Sequence, residues 1–152
     1  MDLLQGLIRG VRNIRSSMNI ERRQPVRALI SAPEDAVAAI RENQRIIADL
    51  ANVESLEIGV GLTKPKASAT EVVEQAQLYV PLEGLIDLAA ERGRLHSRME
   101  KAEQQLAATR AKLAKPSFVD RAPAEIVQRE RERERDMQAQ LDKLRASLAD
   151  LE

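Results

Sequence analysis

Between Gly84 and Glu152, two stripes of evenly spaced residues constrain the chain more than anything else in it. Leu88, Arg92, Leu95, Met99, Ala102, Leu106, Thr109 and Leu113 recur with alternating gaps of four and three, the spacing that keeps one side of a helix against a partner helix. Val127, Glu130, Glu134, Met137, Leu141, Leu144, Leu148 and Leu151 do the same. If the two helices fold antiparallel about a short non-helical tip, Lys115–Ala122, the numbers of facing seam residues must sum to a constant, here about 240. Leu113 then meets Val127, Leu106 meets Glu134, Met99 meets Leu141, Leu95 meets Leu144 and Leu88 meets Leu151. Stripes derived separately fall in register, so a long antiparallel coiled-coil hairpin is the expected fold of this stretch.

The tip is specified as well. Pro116 disfavours helical geometry at Lys115, Pro123 suits the first turn of the second arm, and Glu125 sits at that helix's positive end. Glu130 and Glu134 place carboxylates in the seam opposite Thr109 and Leu106. The outer half of the hairpin is therefore expected to be weakly packed or hydrated, and to bend more easily than the leucine-rich base.

The chain before the hairpin has other periods. Leu4, Leu7, Ile8, Val11, Ile14 and Met18 give a broad apolar face to a helix over Asp2–Met18, with Arg9, Arg12, Asn13 and Arg15 opposite. So short a helix needs a neighbour, which this chain need not contain. After the polar linker Asn19–Gln24, a strand over Val26–Ser31 alternates Val26, Ala28 and Ile30. Pro33 and Glu34 open a helix expected to run unbroken to about Ala51, with Val37, Ile40, Ile47 and Leu50 facing the core. A second strand, Ser55–Val60, puts Leu56, Ile58 and Val60 on one side, and the following loop carries Lys64-Pro65-Lys66 as a solvated tip. Strands Ser68–Val73 and Ala76–Leu82 flank Glu74-Gln75, poor chemistry for a primed turn. The expected fold is α+β with dominant helix. Residues 1–24 are a helix and linker, 25–83 a small unit of one sheet with one helix on its face, and 84–152 the projecting hairpin.

Composition removes several function classes. One Phe, one Tyr and no Trp leave burial to aliphatic side chains, at about 1.5–3 kcal/mol each, which suits helix seams better than a deep pocket. The absence of Cys excludes disulfides and thiolate metal sites. Gln5, Arg9 and Arg12 interrupt the first helix as a signal-peptide core, and no apolar run matches a membrane span, so a cytoplasmic chain without a membrane partner is expected. His96, the one histidine, has no Ser, Cys or carboxylate constellation and reads as an ordinary exposed side chain. Gly59-Val60-Gly61 lacks the third glycine and following helix of a dinucleotide site and reads as a turn. No catalytic residue, metal ligand or cofactor site is expected here, and nothing fixes an oligomeric state.

Charge supplies the remaining leads. Acids and bases balance before and after Leu82, yet up to Arg27 six arginines face only Asp2 and Glu21, a local excess that attracts phosphate. The alternating run Arg129–Arg135 has two readings. It is a solvated helix held by pairs such as Glu130 with Arg133 or Glu132 with Arg135, or it turns Arg131 and Arg135 towards an RNA backbone. Phe118 either caps the seam beside Val119 and Ile126 or offers a stacking face to a nucleotide, with Lys115 and Arg121 as phosphate contacts.

Three separate stretches then resemble one family in its own order. Val11-Arg12-Asn13-Ile14-Arg15-Ser16-Ser17-Met18-Asn19-Ile20 resembles the final helix of the anticodon-binding domain of valyl-tRNA synthetases. Val80-Pro81-Leu82-Glu83-Gly84-Leu85-Ile86-Asp87-Leu88 resembles the entry to their C-terminal coiled-coil arm, and Phe118 to Arg131 the arm's tip. The family commonly has Asn-Glu or Asn-Asp at Lys115-Pro116, and often Gly at Glu74-Gln75. Its His-Ile-Gly-His and Lys-Met-Ser-Lys-Ser signatures do not occur here. The resemblance implies a non-catalytic tRNA-binding region whose arm grips the tRNA elbow, where the D and T loops meet. The remaining synthetase domains would be its other partners. It also implies that the whole enzyme attaches valine using ATP and magnesium and removes mischarged threonine at a separate site. Arg12, Asn13 and Arg15 match the helix motif, and Phe118, Arg121 and Arg129 the tip motif, as tRNA contacts; Lys115, Arg131 and Arg135 are added by position. The alternative from the residues is a structural coiled-coil module that binds protein and no nucleic acid. An independent protein descended from such an arm is a third reading, which Met1 leaves open.

Overall fold

The computed structural model describes residues 2–152. The chain divides into two units, one comprising residues up to Leu88 together with Asp150–Glu152, the other Ala89–Ala149.

The first unit is built on a four-stranded mixed sheet of order β2-β1-β4-β3: β1 Val26–Ser31, β2 Val53–Gly59, β3 Ser68–Val73 and β4 Ala76–Pro81. Strands β1 and β2 are parallel, so they need a crossover, and α2 (Glu34–Glu42) with α3 (Gln44–Ala51) supplies it. Strand β4 pairs antiparallel with both β1 and β3, placing Ile30, Leu78 and Glu71 in one row and Leu29, Tyr79 and Thr70 in the next.

Helix α1 (Asp2–Ser17) packs on β3, β4 and α3, burying Leu7, Ile8, Val11 and Ile14, so the neighbour its apolar face requires lies in this chain. Gly6 and Gly10 permit the approach. A Cβ at Gly6 would stand 2.6 Å from Val73 Cγ1, and one at Gly10 3.0 Å from Leu78 Cδ2. The sheet unit therefore carries three helices where one was expected.

The single helix expected after Pro33 breaks at Asn43. Its Nδ2 donates to the Ala39 carbonyl at 2.9 Å, the acceptor its own backbone N–H would use, and that N–H reaches the Ile40 carbonyl instead. The break changes the helical phase: Ile47 and Ala51 are buried, whereas Leu50, expected in the core, is 54% exposed. Strand β2 starts earlier than its alternation suggests. Val26 pairs with Val53 and Arg27 with Ser55, so Glu54 is an extra residue, a bulge that keeps Val53, Leu56 and Ile58 opposite Val26, Ala28 and Ile30. Val60 falls beyond the strand and is 61% exposed. The β3–β4 turn forms at Glu74-Gln75 despite its composition, with Glu74 left-handed at φ 54°. Lys64, expected in a solvated tip, is half-buried and pairs with Asp150, which also accepts from Thr70 Oγ1 at 3.3 Å. Leu82 and Leu151 are fully buried in this unit.

The second unit is the helical hairpin. Helix α4 (Leu88–Leu113) starts four residues after the expected entry at Gly84, and α6 (Ala124–Asp150) returns. Fourteen of the sixteen seam positions read from the sequence lie in this unit, all but Leu88 and Leu151, and these fourteen are buried or half-buried. Leu106, Met137 and Leu141 form a core cluster with Met99 and Ala102 against it, in keeping with the expected antiparallel register. The tip differs from expectation, being itself helical: α5, Pro116–Arg121. Lys115 (ψ 116°) and Ala122 (ψ 149°) are extended, each forced so by the proline that follows, and Pro116 occupies a first-turn position where its missing N–H costs nothing.

Candidate nucleic-acid interface

The candidate residues of α1 bond within the fold, Arg15 from a buried position and Arg12 and Asn13 from exposed ones. Arg12 is exposed but donates from Nη2 to the Leu50 carbonyl at 3.0 Å, and Asn13 Nδ2 donates to Glu71 Oε1 at 3.3 Å. Arg15 is 6% exposed. Its Nε donates to the Ala51 carbonyl at 3.2 Å, Nη1 to those of Glu21 at 2.9 Å and Gln24 at 2.7 Å, and Nη2 to that of Asn52 at 2.7 Å. These carbonyls belong to the C-terminal end of α3 and to the linker after α1, so one planar fork ties the two chain segments together. Burial lowers the Arg15 pKa, although a guanidinium stays charged at neutral pH.

At the tip, Lys115 and Arg121 are exposed. Phe118 is half-buried beside half-buried Val119, with the Lys112 ammonium 4.8 Å from its ring centroid, while Ile126 is 43% exposed. The ring thus holds a cation on one face, a contact worth about 0.5–1 kcal/mol at exposed sites.

The alternating run resolves in an unexpected way. Its seam glutamates pair across the hairpin, Glu130 with Lys112 at 3.5 Å and Glu134 with Arg110 at 3.3 Å, in place of the expected pairs along α6. Arg129, Arg131, Arg133 and Arg135 are all exposed and, among the described residues, make no ion pair.

At 100° per residue these arginines divide between two flanks of α6, Arg131 and Arg135 on one, Arg129 and Arg133 on the other. The flank of Arg131 and Arg135 adjoins a laced surface: Arg110 bonds Glu134 and Gln138, Gln138 bonds Asp142, and Arg145 lies 3.6 Å from Glu103. Arg133 instead lines a shallow groove with Gln105, Ala108, Thr109, Lys112 and Glu130. Along α4 this groove side continues through Arg94, Arg98, Lys101, Gln105, Ala108 and Lys112, a stripe without an acid. Sequence reasoning missed Arg94, Arg98, Lys101, Lys112 and Arg133, although their spacing of four and three, one step off the seam, was available.

The structural division also re-sorts charge. Ala89–Ala149 holds fourteen Lys and Arg against ten Asp and Glu, a net of +4, leaving ten against fourteen, or −4, for the other unit. Among the described residues no group of His, Asp or Glu could hold a metal ion, and no helix is long and apolar enough to cross a membrane. His96 is exposed on α4.

Residues 87–152 match the family described as the valyl tRNA synthetase tRNA binding arm. Over 149 residues, 97% of this chain, it is 34% identical to a valine–tRNA ligase of Geobacter sulfurreducens. It is 37% identical over 152 residues, 99% of the chain, to that of Latilactobacillus sakei, and 34% over 152 residues to that of Bacillus subtilis. The chain spans 17% of the length of each of these curated relatives.

Proposed function

Because this chain belongs with the C-terminal tRNA-binding region of valyl-tRNA synthetases, we propose that its hairpin grips the elbow of the tRNA L, where the D and T loops meet, while the rest of the enzyme attaches valine. Attachment would use ATP and magnesium bound by domains outside this chain. The observation that carries the reading is the sorting of charge: the hairpin unit is net +4, with exposed arginines on α6 that, among the described residues, no carboxylate pairs. Such groups displace counterions from phosphates, giving salt-dependent binding directed by RNA shape and backbone. Holding the tRNA at the elbow limits its search and presents the acceptor end to the catalytic part. On this reading Lys115, Arg121 and Arg129 remain contact candidates, Arg131 and Arg135 lie on the opposite flank of α6 from Arg129, and Arg12, Asn13 and Arg15 bond within the sheet unit.

The test is a titration of the chain with folded valine tRNA and a non-cognate tRNA at low and moderate salt. Salt-sensitive binding to both, with little preference, is the expected result. No binding to either at low salt would return the chain to a protein-binding structural module.

A further inference from the structure

The two broad faces of the hairpin are chemically unlike. On the laced face, Arg110, Glu134, Gln138, Asp142, Arg145 and Glu103 satisfy one another. On the groove face, Lys112 of α4 and Arg133 of α6 line one shallow groove, and by helical phase Arg94, Arg98 and Lys101 continue the same side along α4 and Arg129 along α6. The acids near it are few: Glu91 bonds Arg94, Glu130 lies on the groove floor paired with Lys112, and Asp136 stands at the outer edge on α6. Arg98, Lys101, Arg129 and Arg133 are exposed and, among the described residues, without an ion pair. From Arg94 to Lys112 the stripe extends about 27 Å at 1.5 Å per residue, enough to follow several successive phosphates.

We propose that the groove face, and not the face bearing Arg131 and Arg135, is the surface that tracks the tRNA backbone. This rests on the reading of the hairpin as a tRNA-binding arm and adds which side of it makes contact and by what chemistry. The recognised group is the phosphodiester, since long flexible cations without paired acceptors supply charge with no base-reading geometry. On the other face Arg131 and Arg135 are, among the described residues, the unpaired cations, and Arg110 and Arg145 would have to leave their own partners before offering the same charge, so fewer cations there are free to meet a phosphate.

Two variants of equal charge change separate the faces. In the first, Arg98→Gln, Lys101→Gln and Arg133→Gln empty the groove face; in the second, Arg131→Gln, Arg135→Gln and Arg145→Gln empty the other. Exposure of all six keeps the fold intact, checked by unchanged far-UV ellipticity. Binding of folded valine tRNA is measured across a salt series. The groove variant should lose about tenfold or more in affinity at low salt, with the log–log salt slope shallower by about two to three, near 0.7–0.9 for each phosphate no longer neutralised. The second variant should stay within about threefold with its slope unchanged. Equal losses, or a larger loss from the second variant, overturn the assignment while leaving a tRNA-binding arm in place. A wild-type chain that binds no tRNA overturns the arm reading and the assignment with it.

Discussion

Replacing Arg15 with Met should melt the sheet unit and leave RNA contacts untouched. The guanidinium makes four hydrogen bonds, of 2.7 to 3.2 Å, to carbonyls of which two, those of Glu21 and Asn52, also accept a backbone N–H. At about 1.5 kcal/mol net for each charge-assisted bond the loss would approach 6 kcal/mol. Met escapes the several kcal/mol needed to desolvate the guanidinium, and some of the freed carbonyls gain water, which brings the expected loss to about 2–4 kcal/mol. For a unit of about ninety residues that corresponds to a fall in Tm of roughly 10–25 °C. The chain carries its own reporter: Tyr79, the one tyrosine, is buried on β4 and there is no Trp, so near-UV dichroism follows this unit. Arg15→Lys should fall between, because a single ammonium keeps the charge but cannot reach four carbonyls in two directions. An Arg15→Met chain whose Tyr79 transition is unmoved, yet whose tRNA affinity drops, would refute the structural role and return Arg15 to the contact surface.

Other perturbations address other parts of the account. Leu141→Ala, at a seam position 2% exposed within the Leu106–Met137 cluster, should cost about 2–5 kcal/mol and lower the thermal midpoint of helicity at 222 nm. Glu74→Gly relieves a left-handed residue in the β3–β4 turn and should stabilise by roughly 1 kcal/mol, seen as a higher urea midpoint at constant m-value. Amide protection along α4 and α6 should fall from the base, where Leu141, Leu144 and Leu148 are buried, towards the tip, where Glu130 and Glu134 occupy the seam; uniform protection would remove the proposed soft outer half.

How far the sequence could be read depended on whether a feature was periodic or set by distant partners. The seam was legible to the residue because its period repeats over many turns and its two halves check each other. Strand β1 was legible to its ends for a similar reason, its alternation being bounded by Pro25 and Pro33. The partner of α1 was not, since Gly6 and Gly10 meet Val73 and Leu78, more than sixty residues away, and no local pattern announces that contact. Single side chains decided the remaining differences: Asn43 capturing the Ala39 carbonyl, Glu54 entering as a bulge, and Pro116, which keeps Lys115 extended as expected, also opening a short helix in a tip expected to be non-helical. Charge was misread by contiguity. The balance after Leu82 included Glu83, Asp87, Asp150 and Glu152, which the fold assigns to the sheet unit, so the hairpin's excess of base was hidden. The groove-face stripe had the right spacing, but its significance needed the pairing of Glu130 and Glu134 across the hairpin to show which cations were left over.

Backbone footprinting of valine tRNA saturated with this chain is the most direct measurement of the central claim. The account predicts protection confined to the D and T loops at the elbow, weakening as salt is raised, with the anticodon stem and acceptor end as reactive as in free tRNA. Protection centred on the anticodon stem, or spread evenly over the molecule at saturating chain, would contradict it.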